Sequence, residues 1–302
     1  VAGEVIKIIS DVRMAYYELQ SACAIEKLRK DEHGVRQSSL QVAQALLEAG
    51  NIDQLQWLNV ALMESQADVV RVGASNGVIE AREKISRLLG TDSDSLPPLS
   101  SCDFSQLSLP DFSQLGEVTV YSNLRLMSLY AGICAEAAKL NLSVGEIQYP
   151  GLGLGIAAER DPKEAWFIGP QMSFSFPIFD WGDAAYARGE AVIEQLWCRF
   201  ETEVIRTRSE IKRLQNLMVN LCNQGKVLHD RVAPIQEQQQ IQALLYYNAM
   251  DLKAFDLLEL KVQQLNTELA QVELYKAFQT ARVEIEAIIA GYCRGQNPSQ
   301  MQ

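Results

Sequence analysis

Gly169-Pro170-Gln171-Met172-Ser173-Phe174-Ser175-Phe176-Pro177-Ile178-Phe179-Asp180-Trp181-Gly182 decides how this chain is read. Met172, Phe174, Phe176 and Ile178 fall on one side of a period-two pattern, with Ser173 and Ser175 on the other, which is the signature of a strand. Upstream, Leu152, Leu154 and Ile156 alternate with Gly151, Gly153 and Gly155. The polar stretch Glu159-Arg160-Asp161-Pro162-Lys163-Glu164 separates the two runs. The pair predicts one β-hairpin over 142–182. Each arm is able to reach about ten residues, the length of a tilted membrane-spanning strand. Trp166, Phe167, Phe179 and Trp181 sit near the ends of the second arm, where an interfacial girdle would lie.

Helical periodicity takes over on both sides. From Asp183 it is sustained to about Tyr246 with one proline, Pro234, and an unbroken helix of that length would extend roughly 95 Å at 1.5 Å per residue. Coiled coils and tubular assemblies use helices this long, and compact globules do not. A break at Tyr247-Asn248-Ala249-Met250 leads to a return helix over about 251–290 and a polar tail over 291–302. At the other end, Val5, Ile8, Ile9, Val12, Ala15, Tyr16 and Leu19 begin a helix over 4–48. It breaks at Glu48-Ala49-Gly50-Asn51 and returns over 52–89 to stop at Gly90. The predicted organisation is a helical hairpin over 1–90, an irregular segment over 91–118, a short helix over 119–141, the β-hairpin, and a second helical hairpin over 183–290. The fold class expected is mainly α, with long antiparallel helical hairpins of the α-barrel type and one β-hairpin.

The two helical hairpins read as diverged copies. At an offset of 200, Ala49, Leu58, Val72, Ala81-Arg82 and Ile85 meet Ala249, Leu258, Val272, Ala281-Arg282 and Ile285. One residue out of that register, Glu4-Val5-Ile6 meets Glu203-Val204-Ile205.

The stretch 169–182, a Gly-Pro followed by an alternating strand, Pro-Ile-Phe-Asp-Trp-Gly and a long helix, resembles the strand-to-helix junction of the TolC family of outer-membrane efflux proteins. Tyr247-Asn248-Ala249-Met250 with Phe255-Asp256-Leu257-Leu258 resembles that family's second hairpin tip. Asp11 to Leu19 resembles its first long helix, and Glu48-Ala49-Gly50-Asn51 its first tip. The resemblance covers nearly the whole chain. It implies a homotrimer whose protomers close a barrel in the outer membrane of a Gram-negative bacterium on a long periplasmic α-barrel. A periplasmic adaptor protein and an inner-membrane transporter would dock at the helical tips, and substrates would pass through unchanged, as in efflux or type I secretion. It also implies a first β-hairpin and a helix preceding Val1. Three copies of this chain would bring six strands, fewer than the smallest usual eight-stranded barrel. The rival reading is a soluble helical coiled-coil scaffold or adaptor without a pore.

The resemblance places the periplasmic entrance at the tips. Asp256 and Glu259 match its acidic ring, one helical turn apart and so on one face. Tyr247 matches a tyrosine that helps latch the closed gate, and Lys253 stands one position after the place of a family arginine. Gln56 and Asn59 are the first-copy counterparts of Asp256 and Glu259. Met172, Phe174, Phe176 and Ile178 are the expected lipid-facing stripe.

Composition narrows the alternatives. Among 302 residues, 27 basic and 38 acidic side chains give a net charge of -11, which speaks against a nucleic-acid surface. The chain opens on Val1 with no visible signal peptide, and it has no apolar stretch of about 18 residues. Cys23, Cys102, Cys134, Cys198, Cys222 and Cys293 lack CxxC spacing and are expected as small buried apolar residues. His33 and His229 are expected at the surface. Gly151–Gly155 lacks the ending of a phosphate loop. No catalytic residue, metal ligand or cofactor site is assigned.

Overall fold

The computed structural model describes residues 2–92, 123–148, 153–160, 166–173 and 183–292. Helix α1 is Ala2–Glu48, α2 is Gln54–Leu89, α3 is Leu124–Gln148, β1 is Gly153–Arg160 and β2 is Trp166–Ser173. Helix α4 is Asp183–Val227, a π-helical turn covers Leu228–Val232, and helices α5 and α6 are Ala233–Asn248 and Ala254–Ala290. Mainly helical content with a single two-stranded sheet among the described residues is the expected fold class. None of the described helices is long and apolar enough to cross a membrane.

Two compact units divide the chain, one formed by 1–116 with 210–302 and the other by 117–209. In the first, α1 packs against both α2 and α6. Its seam with α2 is built from Ala15, Leu19, Ala81 and Ile85, all nearly or fully buried. The second seam joins Ile211, Leu214, Met218 and Cys222 of α4 to Phe278, Ala281, Ile285 and Ile288 of α6. Spacings of three and four residues keep each set on one helical face. Tyr17 of α1 and Tyr275 of α6 meet edge to face, ring centres 6.4 Å apart, a favoured arrangement of aromatic quadrupoles. Charged pairs border these seams: Arg13 with Glu286 and Lys84 with Glu18.

In the second unit Asn123 starts α3, its Oδ1 accepting from the backbone N–H groups of Arg125 and Leu126 at 3.0 and 3.1 Å. That satisfies donors which a helix N-terminus otherwise leaves open. Arg125 approaches Glu203 of α4 at 3.0 Å, an ion pair without hydrogen-bond alignment. Farther along the same pair of helices, Gly189 lets α3 come close: a Cβ there would stand 2.6 Å from Leu140 Cδ1. Strands β1 and β2 are antiparallel, with Leu154 opposite Met172 and Ile156 opposite Pro170.

The structure departs from the sequence reading at three points. Helix α3 continues to Gln148 instead of ending near 141. An interior glycine such as Gly145, like Gly132 earlier in the same helix, costs about 1 kcal/mol, and that alone does not end the helix. The rod expected from 183 to 246 is interrupted at Leu228–Val232. Pro234 has no N–H to give to the carbonyl four residues back and its ring crowds that carbonyl. The backbone shifts to wider bonding, with Ala233 N–H donating to Leu228 O. Finally, Cys222 is buried but Cys134 and Cys198 are exposed, because they stand on outward faces of α3 and α4. Cys102 and Cys293, like the expected irregular segment from residue 93 onward, lie outside the described residues.

Phe278 is fully buried in the α4–α6 seam. Phe278→Ala removes a ring that its neighbours cannot replace and is expected to destabilise the chain by about 3–5 kcal/mol. Urea unfolding followed by circular dichroism measures it, and an unchanged midpoint would show that this seam does not carry the fold.

Candidate functional site

Both helical hairpins turn through the same hydrogen-bond frame. At the first tip Ala49 N–H donates to Ala45 O, Gly50 N–H to Leu47 O and Asn51 N–H to Leu46 O, at 3.1, 2.9 and 2.8 Å. At the second, Ala249 donates to Leu245, Met250 to Tyr247 and Asp251 to Tyr246, at 3.0, 3.0 and 2.9 Å. The return helices begin alike: Trp57 N–H donates to Asp53 O, and Leu257 N–H to Lys253 O. Donors and acceptors correspond one for one at an offset of 200, so the repeat read in the sequence is a repeat of backbone geometry.

The frame requires one left-handed residue at each tip. Gly50 has φ 73° and meets the requirement without strain, whereas Met250 has φ 63°. A side chain in that region costs about 1–2 kcal/mol. The methionine that bears this strain is 94% exposed. The caps differ as well. Asp53 accepts from Gln56 N–H at 2.7 Å, a standard N-cap. Lys253 occupies the equivalent place with no side-chain bond. A cation there opposes the helix dipole, and Asp256 in the same first turn offsets it.

Of the residues expected at the entrance, Asp256, Lys253, Gln56 and Asn59 are exposed and Tyr247 is 42% exposed. Asp256 and Glu259 are one turn apart on α6 as read, but their surroundings differ. Glu259 Oε2 accepts from Arg36 Nη1 of α1 at 2.7 Å. Arg36 is mostly buried and also lies 3.9 Å from the Met63 sulfur of α2. One guanidinium thus links α1, α2 and α6. The sequence reading missed Arg36. A signal existed, since no other basic residue occurs between it and Arg71, but pairing across 223 positions is set by packing. Of the expected lipid-facing stripe, Met172 is in β2 and 57% exposed, as is Ile156 of β1 at 80%. Phe174, Phe176 and Ile178 lie outside the described residues.

Farther from the tips the α1–α2 contact is polar. Glu26 accepts from Ser75 Oγ at 2.5 Å and pairs with Lys30 at 3.0 Å. The Ser75 bond first and Lys30 second hold this carboxyl below the usual carboxylate range, against the effect of burial. Burial pushes the Cys23 thiol up, against the pull of Arg82, so Cys23 is a poor nucleophile. An open cleft of about 1140 Å³ separates α1 from α5 and α6, lined by Gln20, Lys27, His229, Gln240 and Gln271 among others. The described residues contain no cluster of histidine, cysteine and carboxylate side chains suited to a metal ion.

No family model and no curated protein matches the chain. Solved structures do. A membrane protein from Pseudomonas aeruginosa superposes with a TM-score of 0.78 at 16% identity, over 95% of this chain and 68% of its own. The outer-membrane channel MtrE of Neisseria gonorrhoeae, in its open state, gives 0.77 at 15% identity, over 96% and 67%. The outer-membrane channel CmeC of Campylobacter jejuni gives 0.72 at 13% identity, over 99% and 66%. The fold is that of the outer-membrane channels. The chain spans about two thirds of the length of each of these proteins.

The ion pair between Arg36 and Glu259 is half-exposed on its acidic side. A double-mutant cycle with Arg36→Ala and Glu259→Ala is expected to give a coupling of about 0.2–1 kcal/mol. Additive single effects in thermal unfolding would mean that the contact does not join the two hairpins.

Proposed function

We propose that this chain is the trimer-forming, mainly helical part of a passive export duct in the outer membrane of a Gram-negative bacterium, belonging to the TolC family. The observation that carries the reading is the pair of hairpin tips, matched in the three backbone hydrogen bonds of the turn and reached by helices far longer than a compact domain needs. Helix α1 alone would extend roughly 70 Å. The likeness of fold to outer-membrane channels supports the reading, as do the junction and tip motifs.

Exposed apolar rows support assembly. Leu55, Leu62, Val69 and Ile79 of α2 and Ile241, Leu244 and Leu245 of α5 are all more than half exposed. Apolar surface on this scale marks a site of contact. In a ring of three protomers these rows meet neighbouring copies. The exposed tips, with Tyr246, Tyr247 and Met250, face a periplasmic adaptor and an inner-membrane transporter. The exposed side chains of Ile156 and Met172 belong to the surface that meets lipid or a neighbouring protomer. Transport through such a duct is passive, and no catalytic role is assigned to any residue.

At the entrance Asp256 is the acid whose charge is free to act on a passing ion. Glu259 is engaged by Arg36 and contributes less. Three copies of Asp256 round a narrow opening favour cations. In planar bilayers carrying a complete duct, Asp256→Ala is expected to lower cation preference several-fold, with a smaller effect from Glu259→Ala. Equal cation preference in wild type and Asp256→Ala would remove Asp256 from the entrance.

Light scattering of the purified chain with and without detergent tests the main reading. A trimer, or aggregation that detergent relieves, is the expected result. A monomer that stays soluble without detergent would overturn it.

A further inference from the structure

At the offset of the repeat, α2 corresponds to α6, and α1 corresponds to the arm formed by α4 and α5. On α6, Val262, Leu265, Leu269 and Val272 make a row at spacings of three and four and are 2–5% exposed. Glu259 lies one turn before that row and is held by Arg36 of α1, so the row is on the side that α1 covers. At the offset of 200 that aligns the two tips, the same positions on α2 are Leu62, Ser65, Val69 and Val72. There the apolar three are 46–73% exposed, and Ser65 is exposed as well. Leu55 and Leu58 before them and Ile79 after them continue the bare row in the same phase.

The helix that covers α6 is α1, so the element missing from α2 is a counterpart of α1. Within the chain that counterpart, the arm of α4 and α5, packs on α6. It carries an exposed apolar row of its own: Val219, Val227 and Ile235. Val219 and Val227 correspond to Gln20 and Leu28 at the offset of 199 that holds ahead of the π turn, and Ile235 to Val35 at 200 beyond it. Gln20 and Leu28 line the cleft beside α6. The counterparts of Arg36 and Glu259 are Gln236 and Asn59, two amides able to bond to each other.

We propose that a second copy of this chain covers α2: the arm of α4 and α5 of the neighbouring copy lies along residues 62–72 of α2 as α1 lies along α6 within one chain. The two surfaces differ, so the contact is head-to-tail, and each copy offers one face of each kind until a ring closes. The contact rests on the trimeric assembly proposed for the duct and fixes which faces meet in it.

Val69→Asp damages the α2 face and Val227→Asp the face of the arm. Both valines are exposed, so each variant is expected to keep the helix content and melting temperature of the parent. In light scattering with detergent, each variant alone is expected to be a monomer under conditions where the parent is a trimer. An equimolar mixture of the two is expected to form a dimer and go no further. One sound arm then meets one sound α2, and the two faces left over are both damaged. A trimer formed by either variant alone overturns the pairing of faces, as does a mixture that stays monomeric. A parent chain that is itself monomeric overturns the trimeric reading, and the contact with it.

Discussion

A helix that is packed on two sides has to bring its neighbours close on both, and α1 is such a helix, with α2 on one side and α6 on the other. Large side chains on both flanks would hold the axes apart. The buried positions of α1 accordingly include Ala15, Ser21, Ser39 and Ala43 beside Met14 and Leu19. The buried serines are not left with idle hydroxyls. Ser21 donates to Glu18 O at 2.9 Å and Ser39 to Val35 O at 3.1 Å, so each satisfies itself within its own helix. Polar contacts line the edges of these seams. Arg13, Glu18, Glu26, His33 and Arg36 each reach a partner on a neighbouring helix.

Much of the architecture was legible because long helices and period-two strands leave dense local signals. Gly50 and Gly90 announced two turns, and both adopt the left-handed conformation. The second tip carries no glycine. It was legible through its likeness to a family tip and through the repeat, and its left-handed Met250 shows that the hydrogen-bond frame overrides residue preference. The interruption at Leu228–Val232 was half legible: Pro234 gave its place, but the repair by a π turn depends on what the backbone can bond to next.

The candidate site was legible as positions and not as partnerships. Asp256 and Glu259 looked equivalent along the sequence, one turn apart on the same helix. The structure separates them, since Arg36 reaches one and not the other. His33 was expected at the surface, and Arg36 was passed over, for the same reason. Their partners lie 31 and 223 residues away, and no local pattern encodes a distance of that kind. The exposures of Cys134 and Cys198 likewise depend on which face of each helix its neighbours happen to cover.

The π turn also keeps a record of length. Ahead of it, Glu4-Val5-Ile6 and Glu203-Val204-Ile205 correspond at an offset of 199, whereas the two tips correspond at 200 in every backbone bond of the turn. The descending arm of the second copy therefore carries one residue more than that of the first. A single residue added to an ordinary α-helix would rotate everything beyond it by about 100° and turn Tyr247 and its neighbours to a different side. Bonding five residues back instead of four lets the surplus be absorbed as a local bulge. The surplus residue and Pro234 fall in the same stretch of helix, and the tip beyond repeats the turn bonds of the first.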